Sequence, residues 1–217
     1  MKNLPNHIAF ICDGNRRLAK RLMKNPGKRH ELGIKKVYDI VNWCHELGIK
    51  YVTLYALSIQ NFGRPKREFN YLMKLFEREF LALSKPTHDI HKYKARVKAI
   101  GRINLLPKNV RQAIKKAEKA TEKYNKFFLN IAIAYGGQEE IVDAIKKIAL
   151  KVKKGLIKSA NINEKLVKKS LYTNGQPYPD LIIRTGGEKR ISNFMLWQGA
   201  YSELYFCLLY TSPSPRD

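Results

Sequence analysis

The feature of this sequence that most constrains its fold is a repeated alternation of short apolar runs with longer stretches of helical period. The runs of strand length predict β-strands at residues 8–12, 51–57, 96–100, 128–134, 181–183 and 202–206. The stretches between them predict helices at residues 34–47, 69–84, 107–124 and 139–153, and one more within 161–172 that is capped by Asn163. Strand-then-helix order of this kind predicts an α/β fold: a single domain with a mostly parallel sheet surrounded by helices.

Length and composition agree with one globular domain. The chain has 217 residues, of which 44% are hydrophobic, so it can bury a substantial core. We expect residues 1–206 to form this domain and residues 207–217, which contain the run Thr-Ser-Pro-Ser-Pro, to be a disordered or foreign tail. Three widely spaced cysteines indicate neither a disulfide framework nor a zinc site, and they fit a reducing cytoplasm.

The charge of the chain narrows the classes of partner. Its formal net charge of +24 suits polyanions: nucleic acid, anionic lipid surfaces or phosphorylated substrates. The sequence contains no RNP, KH, zinc-finger or helix-turn-helix signature, so we do not expect nucleic-acid binding. No apolar run approaches the roughly 20 residues that span a bilayer. We therefore expect a cytoplasmic protein that contacts a membrane at most at its surface.

Ligands of parallel α/β sheets gather where the strands end and the following loops begin. The first such loop reads Asp13-Gly14-Asn15-Arg16-Arg17 and leads into a helix-like segment. Two guanidinium groups beside free backbone N–H groups suit a phosphate, and the acid suits a hard cation such as Mg²⁺ between it and the anion. A charged Asp-Gly turn explains this pentapeptide equally well, so the residues alone leave both readings open.

Two later loops add polar groups at the same predicted edge of the sheet. The loop Ser58-Ile59-Gln60-Asn61-Phe62-Gly63-Arg64-Pro65 offers a hydroxyl, an amide, an aromatic ring and a guanidinium, which any turn could also contain. The loop from Arg184 to Phe194 is denser, with three cationic side chains, a Gly-Gly pair and a hydroxyl, and it indicates an anion site. The chain has neither a P-loop nor a Gly-x-Gly-x-x-Gly motif. Beyond the loop from Arg184 to Phe194, Glu203 offers a second carboxylate for a metal, in addition to Asp13.

Four segments in a fixed order resemble the cis-prenyltransferases, the family of undecaprenyl and dehydrodolichyl diphosphate synthases. They are HIAFICDGNRRLAKR, LYALSIQNFGRPKREF, LNIAIAYGG and PDLIIRTGGEKRISNFMLWQGAYSELYF. The resemblance extends from His7 to Phe206. It implies an enzyme that condenses isopentenyl diphosphate onto an allylic diphosphate, of the farnesyl or geranylgeranyl type, to make a long-chain polyprenyl diphosphate for a lipid carrier. It also implies Mg²⁺, a homodimer and an apolar tunnel for the growing chain.

The resemblance further implies roles for individual residues. Asp13 matches the family's metal-binding and catalytic aspartate, and Asn61 matches an asparagine of the reacting centre. Glu203 matches a glutamate that helps to hold Mg²⁺. The remaining matches are substrate-binding positions: Gly14, Asn15, Arg16, Arg17, Leu18 and His30 around the allylic diphosphate, Ser58, Phe62 and Arg64 in the surrounding wall, and Arg184, Arg190 and Ser192 at the isopentenyl diphosphate site.

The sequence departs from the family pattern at its end. Members continue after the Tyr205-Phe206 position with a Trp-Pro segment and a helix, whereas this chain reads CLLYTSPSPRD. A non-catalytic partner subunit is an alternative reading for a member of this superfamily, but such subunits lack the aspartate of the DGN motif, which is present here as Asp13. We therefore expect a catalytic chain with an atypical C-terminus.

Overall fold

The computed structural model describes residues 4–12 and 26–207, with the side chains of residues 26–32 left out of the description. Within these residues the chain forms one six-stranded sheet in the order β3-β4-β2-β1-β5-β6, and every strand pair is parallel. The strands are β1 (His7–Cys12), β2 (Tyr51–Ser58), β3 (Ala95–Ile100), β4 (Phe127–Tyr135), β5 (Leu181–Thr185) and β6 (Glu203–Cys207). The predicted α/β fold with a parallel sheet is confirmed.

Six α-helices lie in the described part of the chain. They are α1 (Pro26–Glu46), α2 (Lys66–Leu83), α3 (Asp89–Lys92), α4 (Lys108–Thr121), α5 (Gly137–Lys153) and α6 (Glu164–Ser170). The predicted cap of α6 is present, since the Asn163 side chain accepts a hydrogen bond from the backbone N–H of Leu166 at 3.0 Å. The short helix α3 was not predicted. A 3-10 helix, Ile59–Gly63, replaces the irregular loop expected after β2.

The core lies on both faces of the sheet because successive side chains of a strand point to opposite sides. In β1, Ile8 and Phe10 belong to the larger apolar cluster, which includes buried residues of α1, α2 and α4. Ala9 and Ile11 belong to a smaller cluster on the other face, with Phe194 from the segment after β5. Full burial of an isoleucine or phenylalanine side chain contributes about 1.5–3 kcal/mol to the stability of the fold.

Strand β1 lies between β2 and β5, and its start is fixed by the acid that precedes β5. The Asp180 carboxylate accepts hydrogen bonds from the backbone N–H groups of Asn6 at 2.7 Å and His7 at 2.9 Å. At the other end, Cys12 pairs with Thr185. The carboxyl ends of β1, β2 and β5 therefore lie at one shared edge of the sheet, the carboxyl edge, as the sequence predicted.

The predicted division at residue 206 falls inside β6, whose last residue is Cys207. Residues 208–217 lie outside the described part of the chain. The disordered or foreign tail therefore stays a prediction. Among the helices that are described, none is both long enough and apolar enough to cross a membrane.

Candidate functional site

The loop after β5 is organised around one buried guanidinium. Arg184 is only 4% exposed, and its Nη1 donates hydrogen bonds to the Ser192 hydroxyl at 2.7 Å and to the backbone carbonyl of Arg190. A planar guanidinium with several fixed donors can hold two parts of a loop at once. The structure thus brings together the three residues that the resemblance assigns to isopentenyl diphosphate.

The backbone of this loop adopts an uncommon conformation. Ser192, Asn193 and Met195 all have positive φ angles, of 49°, 60° and 46°. Left-handed backbone is unfavourable for residues other than glycine, and it persists only where surrounding contacts hold it. Three such residues within four positions indicate that the shape of the loop is imposed by its neighbours.

Those contacts come mainly from the first turn of α5. The Asn193 carbonyl accepts from the backbone N–H of Gly137 at 2.7 Å, and its side-chain oxygen accepts from the N–H of Gln138 at 2.9 Å. The Asn193 side-chain nitrogen donates to the Glu139 carboxylate at 2.9 Å. We call this set of contacts the Asn193 clamp. Gly137 permits it, because a Cβ atom there would lie 2.7 Å from Cγ of Leu196 and 3.1 Å from the Asn193 carbonyl.

Tyr55 of β2 connects this loop to the centre of the sheet. Its ring stacks on Phe194 with centroids 4.6 Å apart, and its hydroxyl lies 3.3 Å from the carbonyl of Ser192, to which it donates. Burial, as the largest cause, raises the pKa of Tyr55 to about 12, so the hydroxyl stays protonated and available as a donor near neutral pH. Tyr55 therefore helps to fix the position of Ser192.

The loop after β2 is held by local contacts. The side-chain oxygen of Asn61 accepts from the backbone N–H of Ser58 at 3.2 Å, and Arg64 forms an ion pair with Glu68 at 2.6 Å. The ring of Phe62 packs against Phe69. These predicted wall residues lie together at the carboxyl end of β2. Within the structure, the guanidinium of Arg64 is directed to the first turn of α2.

Arg190 provides an exposed cation at the outer side of the β5 loop. Its guanidinium pairs with Glu188 at 2.9 Å, and 66% of the Arg190 side chain is exposed. Arg184 is buried, so the two arginines occupy different depths. The loop therefore presents the Arg190 guanidinium to solvent, whereas the Arg184 guanidinium holds the internal structure of the loop.

A buried polar cluster supports the start of α5 from below. The Glu140 carboxylate, 1% exposed, accepts from the hydroxyl of Tyr135, from the backbone N–H of Tyr172 at 2.7 Å and from the amide of Gln198 at 3.1 Å. Burial is the largest cause that raises the pKa of Glu140, and these donors act against it. No sequence pattern indicates this cluster, because its members come from four separate segments.

Glu203 is not brought to the Arg184 loop within one chain. It is exposed at the amino end of β6, where it pairs with Leu181, while Arg184 pairs with Phe206. Three residues of strand separate the two positions by roughly 10 Å. The predicted metal role of Glu203 therefore has no geometric support in a single chain and stays a prediction.

The rest of the predicted metal and allylic site is not described. Asp13, Gly14, Asn15, Arg16, Arg17 and Leu18 lie outside the described residues. His30 belongs to α1, but its side chain is not described. Among the side chains of the described ranges, no group of three or more His, Cys, Asp or Glu could hold a metal ion. The register places Cys12, the last described residue before this loop, next to Thr185.

An apolar cavity of about 720 Å³ lies between α1, α2 and the sheet. At one end it is lined by Cys12, Tyr55 and Ala56, at the carboxyl edge. It continues past Leu72, Leu75, Phe76 and Phe80 of α2 and reaches His88 and Tyr93 near the amino edge. Burial raises the pKa of the Cys12 thiol to about 12, so this group is an uncharged wall residue and not a nucleophile.

Sequence reasoning missed the residues that hold the β5 loop. Asn193 follows the predicted Ser192 directly, and Gly136 and Gly137 appear in the motif LNIAIAYGG, but nothing in the sequence pairs them. Tyr55 reads as an ordinary strand residue. The one available signal was the Gly-Gly pair at the start of a helix, which is typical of a close backbone approach.

A family model described as "Putative undecaprenyl diphosphate synthase" matches residues 11–212. Among curated proteins, the chain is 58% identical over 210 residues to the tritrans,polycis-undecaprenyl-diphosphate synthase (geranylgeranyl-diphosphate specific) of Methanocaldococcus jannaschii, covering 96% of this chain and 75% of that protein. It is 54% identical to the protein of the same description from Pyrococcus furiosus, covering 95% and 78%. The chain thus spans about three quarters of these relatives.

Two solved structures are similar over most of the chain. Lavandulyl diphosphate synthase from Lavandula x intermedia, in complex with dimethylallyl diphosphate, superposes with a TM-score of 0.86 and 38% identity, covering 93% of this chain and 86% of that one. A structure described as a probable undecaprenyl diphosphate synthase from Campylobacter jejuni gives a TM-score of 0.76 and 31% identity, covering 99% and 91%.

Proposed function

The chain belongs to the cis-prenyltransferase family and is a prenyl-transferring enzyme, a cis-prenyl diphosphate synthase; on this basis we propose that it uses Mg²⁺ to condense isopentenyl diphosphate onto an allylic diphosphate in repeated steps. The product is a long-chain polyprenyl diphosphate, the precursor of a lipid carrier. Geranylgeranyl diphosphate is the proposed starter, because the archaeal relatives are described as specific for it.

One observation supports this proposal above the others: the polar loop and the apolar cavity meet at Tyr55. Tyr55 is one of the lining residues of the cavity, while its ring stacks on Phe194 and its hydroxyl donates to the carbonyl of Ser192 in the loop around Arg184. A substrate that combines a diphosphate with a hydrocarbon chain requires such a junction. The cavity, which runs from the carboxyl edge toward the amino edge, is the proposed tunnel for the growing chain.

The reaction requires cationic groups where negative charge develops. Ionisation of an allylic diphosphate leaves a carbocation and a highly charged leaving group. In this proposal the exposed Arg190 binds the diphosphate of isopentenyl diphosphate, and Arg184, which donates to the Ser192 hydroxyl, keeps that hydroxyl in position. Asn61, held by the backbone of Ser58, faces the reacting centre in this proposal.

Mg²⁺ is proposed to bind at Asp13, directly after β1. Magnesium sites commonly combine one or two carboxylates with substrate phosphate oxygens, which agrees with an acid beside a diphosphate loop. When bound, the ion neutralises negative charge on the leaving diphosphate. Glu203 remains a candidate second ligand that one chain alone does not bring to this position.

The remaining expectations concern partners and location. We propose a homodimer in the cytoplasm, with peripheral contact to membrane lipid, since the product is a membrane lipid and the chain carries a formal charge of +24. Nucleic acid is not a proposed partner. Co-sedimentation with vesicles tests the lipid contact: binding to anionic but not to zwitterionic vesicles is expected, and equal binding to both contradicts it.

Product analysis tests the function directly. The protein is incubated with Mg²⁺, labelled isopentenyl diphosphate and one starter at a time: dimethylallyl, geranyl, farnesyl or geranylgeranyl diphosphate. We expect label in long-chain lipid, most efficiently with geranylgeranyl diphosphate, and none when the metal is chelated. Incorporation that is independent of the metal, or a product extended by one unit only, contradicts the proposal.

Asp13→Ala tests the residue assigned to the metal. We expect at least a 10²-fold loss of incorporation with an unchanged circular dichroism spectrum, because a developing charge loses its stabilisation. Asp39→Ala is the matched control, since Asp39 pairs on the surface with Lys36 at 2.9 Å. Full activity of the Asp13 variant contradicts the assignment.

A further inference from the structure

A second cavity, of about 560 Å³, lies at the edge of the sheet far from the Arg184 loop. Its walls come from β3, from the second half of α5 and from the segment that ends α6. We call it the lysine cavity, because five lysines line it: Lys98, Lys147, Lys151, Lys154 and Lys169. The rest of its lining, all from the described part of the chain, contains neither Asp nor Glu.

Two of the five lysines are held at the base of the cavity by backbone oxygens. The Lys98 ammonium donates to the carbonyl of Tyr172 at 2.8 Å, and the Lys147 ammonium donates to the carbonyl of Ser170 at 3.2 Å. A carbonyl satisfies one N–H of an ammonium group but leaves its charge unbalanced, and two further N–H groups remain to be satisfied. The cavity therefore orients cationic donors without neutralising them.

The carboxylates nearest to this cavity are engaged elsewhere. Glu118 accepts from the backbone N–H of Ala99 at 2.9 Å, and Asp143 forms an ion pair with Arg102 at 3.0 Å. Glu140 is enclosed by the polar cluster beneath α5. Both Glu118 and Glu140 act on Lys98 electrostatically, but desolvation by burial outweighs them and lowers the pKa of Lys98. A further anion at this place would favour its charged form.

The lysine cavity is separate from the diphosphate loops. Strand β3 is one edge of the sheet, and β4, β2 and β1 lie between it and β5, which carries Arg184. Four strand spacings correspond to roughly 19 Å. The large apolar cavity shares no lining residue with this one. A ligand in the lysine cavity would therefore bind in addition to the substrates.

We propose that the lysine cavity is a binding site for a phosphate group. Lysines supply strong charge-assisted donors to phosphate oxygens, and they act as point charges without a fixed fork geometry. The five ammonium groups can surround a phosphate monoester or a diphosphate, and Leu150 and Leu156 form an apolar rim beside them. A soluble phosphate and the headgroup of a lipid present the same chemistry to this site.

Calorimetric titration of the full chain with inorganic phosphate, at constant ionic strength, tests the proposal. We expect the variant Lys98→Gln/Lys147→Gln to lose one class of phosphate site, with binding there weakened about tenfold or more. Lys115→Gln/Lys116→Gln removes the same charge from the exposed face of α4 and is expected to bind like the unmodified chain. Equal binding by the unmodified chain and the Lys98/Lys147 variant overturns the proposal.

A second variant guards against misfolding. Lys151→Gln/Lys154→Gln changes two exposed residues of the same cavity and leaves the two lysines at its base in place. We expect it to weaken phosphate binding severalfold with an unchanged thermal unfolding midpoint. Unweakened binding in this variant also overturns the proposal.

Vesicles distinguish the two sources of the phosphate. The unmodified chain is co-sedimented with vesicles whose lipids carry phosphate monoester headgroups and with zwitterionic vesicles. Binding to the former that is lost in Lys98→Gln/Lys147→Gln supports a lipid ligand, and loss of free phosphate binding alone supports a soluble one. Incorporation of labelled isopentenyl diphosphate is expected to be unchanged in this variant, so failure here and failure of the proposed function give different results.

Discussion

The loops after β2 and β5 leave the same edge of the sheet with similar residues, a hydroxyl, an amide and arginines, but different contacts hold them. In the β2 loop, Asn61 bonds to Ser58 and Arg64 to Glu68, partners three and four residues away. In the β5 loop, Asn193 bonds to the start of α5, 54 and 55 residues earlier in the chain. The first loop builds its own shape, whereas the second takes its shape from the rest of the fold.

Asn193→Ala tests this contrast most strongly. The variant loses both side-chain hydrogen bonds of the Asn193 clamp and places alanine at a φ of 60°. We expect the free energy of unfolding to fall by about 3 kcal/mol and prenyl transfer to fall at least tenfold. Denaturant titration and an incorporation assay measure the two effects.

The control for this variant is Asn174→Ala. Asn174 is exposed and also has a left-handed backbone, with φ of 48°, so its replacement carries the conformational cost alone. We expect the free energy of unfolding of this variant to fall by about 1 kcal/mol, with full prenyl-transfer activity. If both variants behave alike, the clamp contributes nothing beyond backbone preference.

Gly137→Ala and Gly63→Ala compare the two loops by the same substitution. At Gly137 the new methyl group would lie 2.7 Å from Leu196, so α5 and the β5 loop must move apart, at about 2 kcal/mol. At Gly63 nothing lies within 4 Å, and the change is expected to alter the free energy of unfolding by less than about 1 kcal/mol. Denaturant titration, with equal slopes for both variants, measures the two changes in the free energy of unfolding. Equal losses in the two variants would contradict the contrast between the β2 and β5 loops.

Tyr55→Phe removes one hydroxyl and keeps the stacked ring. The carbonyl of Ser192 loses a donor at 3.3 Å. We therefore expect the free energy of unfolding to fall by about 1 kcal/mol and the KM for isopentenyl diphosphate to rise severalfold. Tyr51→Phe is the control, since the Tyr51 ring stacks on Phe128 away from the loop. An unchanged KM would show that Tyr55 does not position Ser192.

Arg64→Gln is expected to have the smallest effect on the free energy of unfolding. The ion pair with Glu68 spans one helical turn, and the two side chains are 24% and 22% exposed. Pairs of this kind contribute about 0.5 kcal/mol. A double-mutant cycle with Glu68→Gln measures the coupling energy. A coupling above about 2 kcal/mol would mean that the β2 loop depends on this pair as strongly as the β5 loop depends on its clamp.

The same contrast explains which parts of the molecule were predictable. The cap at Asn163 and the C-terminal end of α1 depend on neighbours within a few positions: the cap was predicted, and the helix predicted to end at residue 47 ends at Glu46, two residues before Gly48 with its φ of 75°. The register of β6 depends on pairing with β5, and it places Glu203 at the amino edge, which sequence order alone does not reveal. The first turns of α1 carry few apolar residues at helical spacing, so the predicted helix began too late.

The site followed the same rule. Motif order identified Arg184, Arg190 and Ser192, and the structure brings them together. Asn193, Tyr55 and Glu140 were missed, because each acts through partners that only the folded chain brings near. A residue whose role is to position another can be recognised only after its partner is known.

The position of β1 between β2 and β5 has a consequence for how the molecule folds. Its start is bonded to Asp180, 174 residues along the chain from Asn6, so this contact forms only after a very large loop has closed. Contacts of such long sequence separation slow folding. During synthesis, β2, β4 and β3 can pair before β5 has been made, and one side of β1 is then still unpaired. The β5 loop, with its strained backbone, is expected to acquire its shape in the last step.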